Sequence, residues 1–398
     1  VSTIKNTSTI MPSYCFFLVR LIFISLFIIT LASAKDPNIV IIMTDEHNYR
    51  TLGCYRDQLS TNQAFIWGEG VKVDTPNIDS LAHEGALFTH FFASSPMCTP
   101  SRASFLSGLY PPATGAAENH APMNSDTLTF AHILKENGWE TGYVGKWHLN
   151  GSPSPGWSSE GKSVFGFNST KYLYNRGHYK FFEEENGETK GYDWKDGKDK
   201  FANTMETNFA TDWLFDKGID FIEQQTRNKK PFALMLSIPD PHDPHEVRPP
   251  YDTMFDNLRF NVPQTAIAAM RKEPGLPNWS PMSNFKRLLG INWSKQVDVR
   301  KAWKRGKILS ENETRQWKLR RTFGMIKCID DNVGKLLAHL KNSGLEKDVI
   351  FVFTNDHGDS MGEHLRHNKL TPYDTSAGTS FIIRYPEKIA AGKVVRTA

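Results

Sequence analysis

Cys98 opens the run Cys98-Thr99-Pro100-Ser101-Arg102. Its three fixed positions, Cys-x-Pro-x-Arg, would arise by chance in about one chain of this length in a hundred. Pro100 suits the first turn of a helix through Ala103 to Leu106, which sets Cys98 at a helix N-terminus. There free N–H groups and the helix dipole favour an anion, and the Arg102 guanidinium can offer a forked donor to an oxyanion. A structural cysteine in a turn is the plainer alternative. Other polar groups share a different property, in that each follows directly on a predicted strand: Asp45-Glu46, Lys146 with His148, His242, and Asp356-His357. Lys146 and His148 stand two apart, so an extended segment would put them on one face. Taken alone, Asp45-Glu46 also reads as a solvated loop, and Lys146 and His148 as ordinary residues beside Trp147.

The elements that must position these groups alternate along the chain. Asn38 to Met43 is a continuous apolar run, the mark of a strand buried on both faces, with the acids at its carboxyl end. Thr75 to Leu87 is a predicted helix with Thr75 as N-cap and Pro76 in the first turn. Thr127 to Asn137 is another, ended by Gly138, and Glu140 to Gly145 is a strand that delivers Lys146. Phe209 to Gln225 has helical spacing, and Phe232 to Ile238 is a strand leading to His242. Ile326, Ile329, Val333, Leu336, Leu337 and Leu340 recur at three- and four-residue steps and mark a long helix. Val349 to Phe353 and Ser380 to Arg384 are the last strands. Residues 150 to 205 and roughly 247 to 310 read as loop-rich insertions. The pattern predicts an α/β fold, a mostly parallel mixed sheet sandwiched by helices. Ligands bind beyond the carboxyl ends of such strands, so distant segments converge on one place.

Cys98-Thr-Pro-Ser-Arg102-Ala-Ser-Phe-Leu-Ser-Gly108 resembles the signature of the formylglycine-dependent (type I) sulfatases, in the alkaline phosphatase superfamily. Gly142-Tyr-Val-Gly-Lys146-Trp-His148-Leu resembles the second signature of that family. Thr44-Asp45, Asn355-Asp356-His357-Gly358 and Lys369-x-x-x-Tyr373 follow in the family's order, and the likeness runs from about Asn38 to the end. It implies that a maturation enzyme converts Cys98 to formylglycine, an aldehyde that hydrates to a gem-diol. One hydroxyl would attack sulfur and expel the alcohol; the other would lose its proton and eject sulfate. A hard step is thereby split into two easier ones.

The resemblance also implies site roles. Asp45, Glu46, Asp356 and His357, with Cys98, form the expected metal set. Oxygen-rich donors favour a hard cation, and calcium tolerates an irregular shell better than magnesium. Glu46 stands where the family often has Asp or Gln, and His357 where Asn is common. Lys146 is implied on a sulfate oxygen, and His148 on a diol hydroxyl whose proton it accepts. His242 is implied on sulfate or as the acid for the leaving oxygen, with His245 as competitor. Lys369 is implied as a sulfate-binding cation near the leaving group. The expectation is therefore an enzyme, a sulfuric ester hydrolase, with a sulfated carbohydrate as substrate. A phosphonate or phosphate ester hydrolase of the same superfamily, and a non-catalytic binder of sulfated glycans, are the alternatives.

Composition bounds the rest. At 398 residues, with 39% hydrophobic and 12% aromatic content, the chain suits one large α/β domain or one domain plus a small appendage. Arg20, the apolar stretch Leu21 to Leu31 and Ala32-Ser33-Ala34 read as a signal peptide cleaved after Ala34; a membrane anchor would have to bury Arg20. Residues 1–10 read as upstream translation, and 35–398 as the catalytic domain. A secreted or periplasmic location follows. Losing Lys5 and Arg20 lowers the 47 basic residues to 45 against 43 acidic ones, which excludes bulk nucleic-acid binding. Cys54 and Cys328 either pair or stay buried and free. The chain stops just after a predicted strand, where the family continues into a smaller C-terminal subdomain, so a C-terminally incomplete domain is expected. His364 and His367 are spaced like zinc ligands but lack a clear third. Arg300 to Arg321 holds nine basic residues with Trp303 and Trp317 interleaved, either a strip for a polyanion or a solvated helix face.

Overall fold

The computed structural model describes residues 36–151, 156–157, 164–271 and 312–397. The signal segment and residues 300–311 of the basic stretch lie outside them. Contacts divide the chain into Val1–Pro37 and a main unit, Asn38–Ala398.

The main unit is built on β1, Asn38–Asp45, whose run of Ile and Val is buried on both faces. It pairs in parallel with β7 (Phe232–Pro241) on one side and β8 (Val349–Asn355) on the other. Beyond β7 lie β3 (Glu140–Lys146) and β4 (Leu173–Tyr174), both parallel. Beyond β8, β9 (Phe381–Arg384) runs antiparallel, followed by β2 (Ala86–Phe88) and β10 (Lys393–Val395). The eight strands thus form one mostly parallel mixed sheet in the order β10-β2-β9-β8-β1-β7-β3-β4. A separate hairpin, β5 (Phe181–Glu185) and β6 (Glu188–Tyr192), stands in the predicted loop-rich insertion.

Successive β1 residues face opposite layers. Val40 and Ile42 join a core with α1 (Pro76–His83), α4 (Ala210–Asn228) and α5 (Glu313–Asn342). Ile41 and Met43 join the other core, with α2 (Cys98–Ser107) and α3 (Phe130–Glu136). Val40 and Ile42 are fully buried, each worth about 1.5–3 kcal/mol of apolar transfer. Helices therefore cover both faces, as the strand–helix alternation requires.

Two predicted boundaries move. The helix expected to run to Leu87 ends at His83, and Ala86 to Phe88 become β2, paired with Ile383 to Phe381. A three-residue strand is too short to show alternation. A side chain at Gly85 would meet the Ile383 carbonyl at 2.2 Å, so only glycine permits this approach. Thr75 occupies the N-cap position without capping; the α5 residue Asp330 instead accepts from Asn77 and Ile78 N–H at 3.0 and 2.9 Å. The helix expected from Thr127 starts at Phe130, because Thr129 is its cap and His132 closes a capping box.

Candidate active site

The carboxyl ends of β1, β3, β7 and β8 deliver Asp45, Lys146, His242 and Asp356 to one end of the sheet. Helix α2 points its first residue, Cys98, at the same spot. Four donors converge there, namely Asp45, Cys98, Asp356 and His357, all buried, with ligand atoms within 4.8 Å of one another. Cys98 Sγ lies 3.6 Å from Asp45 Oδ1 and 3.3 Å from His357 Nε2. His357 Nε2 lies 3.8 Å from Asp45 Oδ1 and 3.6 Å from Asp356 Oδ1. Two carboxylates, an imidazole and a sulfur this close fit one divalent cation.

The outward carboxylate oxygens are held by cations of the chain. Arg102 Nε donates to Asp356 Oδ2 at 2.9 Å, and its NH1 donates to Lys146 O and Ser237 Oγ at 3.0 and 2.7 Å. Arg102 NH2 stands 3.5 Å from Asp45 Oδ2, which also takes the Lys146 ammonium. The guanidinium thus aligns both acids, and its NH2 nitrogen has no hydrogen-bond partner among the described residues. Burial works against ionising Asp45, but Lys146, His242 and Arg102 outweigh it and hold the carboxyl well below its usual range. Asp356 is raised by burial and by Asp45 across from it. Burial and Asp45 push the Cys98 thiol up, yet Lys146, Lys369 and His357 bring it down to about 6. Those three cations favour an anion at this position.

Glu46 has a left-handed backbone, φ 58°. Its carboxylate turns from the four donors toward His242 Nε2 and Lys369 Nζ, each 2.8 Å from Oε2. With Asp45 and His242 it makes a second, adjoining donor group. Lys369 also reaches Cys98 Sγ at 3.2 Å. Burial would discharge His242, but Glu46 and Asp45 keep its pKa well above the ordinary value. His245, the competitor, instead shares a hydrogen bond with Thr322 Oγ1 at 3.1 Å.

Lys146 and His148 do not share a face by strand alternation. His148 is left-handed, φ 62°, so the chain turns there and Trp147 is fully buried in the α2 and α3 layer. Both His148 ring nitrogens are buried without a hydrogen-bond partner among the described residues, and the ring is 5.5 Å from that of His120. Burial, with Lys146 and Arg102 nearby, lowers its pKa to about 2, so the ring is neutral. His364 sits in a 3-10 turn at φ 52° and stacks on Tyr373 at 3.7 Å. It shares no helical face with His367, and neither belongs to a metal-capable group among the described residues.

Other expectations also resolve. Cys54 and Cys328 are buried and free. In the basic stretch, Arg315 donates to Phe260 O and Asn261 O, and Arg320 to Leu258 O. These residues pin the 258–261 loop to α5. Sequence reasoning missed His178, whose ring stacks on His242 and whose Nε2 lies 3.3 Å from Lys146 Nζ. It sits in the insertion, where no periodicity flags it. It also missed Ser101, whose hydroxyl donates to Asp356 O inside the very motif that was read.

Residues 37–398 match the Sulfatase family. The chain belongs to this family, the formylglycine-dependent sulfatases of the alkaline phosphatase superfamily. It is 28% identical to an N-acetylglucosamine-6-O-sulfatase of Bacteroides thetaiotaomicron, over 90% of this chain and 64% of that protein. It is 29% identical to an ulvan-active sulfatase of Formosa agariphila, over 88% of this chain and 56% of that one. A solved sulfatase-family structure, in complex with its substrate D-glucosamine-2-N,6-O-disulfate, superposes with a TM-score of 0.64 at 25% identity, covering 90% of this chain and 73% of the other. The chain therefore spans under two thirds of the length of these curated relatives.

Proposed function

We propose that the chain is the catalytic part of a sulfuric ester hydrolase that removes sulfate from a sulfated carbohydrate. The observation that carries this is Cys98 within one group of donors with Asp45, Asp356 and His357, under the ammonium of Lys369. The relatives that act on sulfated sugars support the substrate class. Formylglycine made from Cys98 by a maturation enzyme would supply a hydrated aldehyde able to attack sulfur and later release sulfate. Calcium held by Asp45, Asp356, His357 and the converted Cys98 would lower the pKa of that nucleophile and neutralise a sulfate oxygen. Glu46 could join this shell through Oε1, which has no hydrogen-bond partner among the described residues, while Oε2 stays on His242 and Lys369.

The remaining work falls to this chain's side chains. Lys146 and Lys369 face the oxyanion that builds up as the S–O bond breaks. His242, kept protonated by Glu46, gives its proton to the departing alcohol oxygen. His148, neutral and without a partner, takes a proton from the nucleophile so that sulfate can leave. Arg102 holds the two acids in register. Export belongs to the same reading and rests on the segment from Arg20 to Ala34. No helix among the described residues is long and apolar enough to cross a membrane.

The test is sulfate release from a panel of sulfated oligosaccharides by protein matured with a formylglycine-generating enzyme and supplied with calcium. Peptide mass spectrometry across Cys98 checks the conversion. Release no greater than that of a Cys98→Ala control on every substrate would end the proposal.

A further inference from the structure

We propose that His178, in the loop between β4 and β5, is a substrate-binding residue whose Nδ1–H donates to the sulfate-bearing sugar beside the ester. The inference rests on the sulfatase reading and adds a specificity contact to it.

His178 lies between two groups that reading assigns to the ester. Its ring is nearly parallel to that of His242, with centroids 3.8 Å apart and planes 17° apart. Its Nε2 is 3.3 Å from Lys146 Nζ. An ammonium has three donors and no acceptor, so Nε2 must be the accepting nitrogen. In a neutral ring the proton is then on Nδ1. Burial, together with Lys146 and His242, keeps the ring neutral. Nδ1 is therefore a donor, and it is buried with no hydrogen-bond partner among the described residues. A buried donor left unpaired is destabilising. That cost makes sense if a ligand supplies the acceptor.

The ring is also anchored. Two residues on, Lys180 Nζ pairs with Asp240 Oδ1 at 2.6 Å, and Asp240 itself stands two residues before His242. One buried ion pair thus ties together the two segments that carry the stacked imidazoles. The sequence insertion from 150 to 205 contributes a contact to the site, and so a means of choosing among sugars.

Two amide variants separate the nitrogens. In His178→Asn the side-chain amide can donate near the Nδ1 position but does not reach Lys146. In His178→Gln the amide can accept near the Nε2 position but offers nothing at Nδ1. The expected result is a kcat/KM on the sulfated sugar reduced on the order of 30-fold in the Gln variant and only a few-fold in the Asn variant. Unchanged melting temperatures should accompany both. In a calcium-loaded Cys98→Ala background, the Kd for the same sugar should weaken in the same order. A Gln variant that outperforms Asn would restrict His178 to positioning Lys146 and overturn the inference, as would two variants equal to wild type. Wild type that neither binds nor hydrolyses any sulfated sugar would remove the sulfatase reading together with it.

Discussion

A single carboxylate oxygen, Oε2 of Glu46, accepts from both His242 Nε2 and Lys369 Nζ at 2.8 Å. One buried charge therefore positions an acid and an oxyanion-binding cation that come from opposite flanks of the cleft. Burial opposes the charge on Glu46, and His242 and Lys369 more than compensate, holding its pKa far below the ordinary range. Glu46→Ala should release both partners and lower kcat/KM about 100-fold, the scale of a misplacement near 1 Å. Glu46→Asp, one methylene shorter, should keep one contact and lose less. Sulfate-release kinetics on the two variants provide the check; an alanine variant as fast as wild type would contradict the role.

Arg102 bonds Asp356, the Lys146 carbonyl and Ser237 with a single planar group. A lysine there has one nitrogen for three acceptors that lie in a fork's geometry. Arg102→Lys should leave at least one buried acid poorly paired and destabilise the fold by about 3–5 kcal/mol. Chemical denaturation is the measurement, and a loss within about 0.5 kcal/mol would mean that the fork is dispensable.

How far the sequence alone reached depends on range. The strands β1, β7 and β8 were legible because a strand buried on both faces has to be continuously apolar, and their ends located Asp45, His242 and Asp356. Helix α5 was legible from Ile326 onward; its first two turns carry Arg315 and Arg320, whose anchoring to the 258–261 loop only the tertiary structure reveals. β2 was read as helix because three residues cannot display a period. The left-handed turns at Glu46 and His148 were also out of reach, since neither residue type announces a positive φ. Those two turns decide that Glu46 faces His242 and that His148 leaves the strand's alternation. His178 was invisible for another reason: the insertion that carries it shows no periodicity, and only the folded chain brings it to Lys146 and His242.

Asp45 and Asp356 hold buried oxygens near each other and near the Cys98 sulfur, so a divalent cation should stabilise the folded chain. At a calcium concentration one hundred times Kd the gain is about 2.7 kcal/mol. Adding calcium should raise the melting temperature, and a chelator should reverse the shift. Asp356→Asn should abolish most of it while leaving Arg102 a neutral acceptor. A melting temperature that ignores calcium in the wild type would argue against the four-donor site.

Lys180 is fully buried, and its ammonium meets Asp240 at 2.6 Å while Thr211 donates to the other carboxylate oxygen at 2.8 Å. Removing the cation leaves a buried carboxylate with one neutral donor, which costs about 3–5 kcal/mol. Lys180→Met should therefore lower stability by about that much, whereas the double variant with Asp240→Asn should recover part of it, since no charge is then stranded. Because Asp240 leads directly into Pro241-His242, the single variant should also lower kcat more than it raises KM, through a displaced His242. If the double variant is the less stable of the two, charge pairing is not what holds these strands, and packing against Met325, 3.3 Å from the Lys180 nitrogen, is the better account.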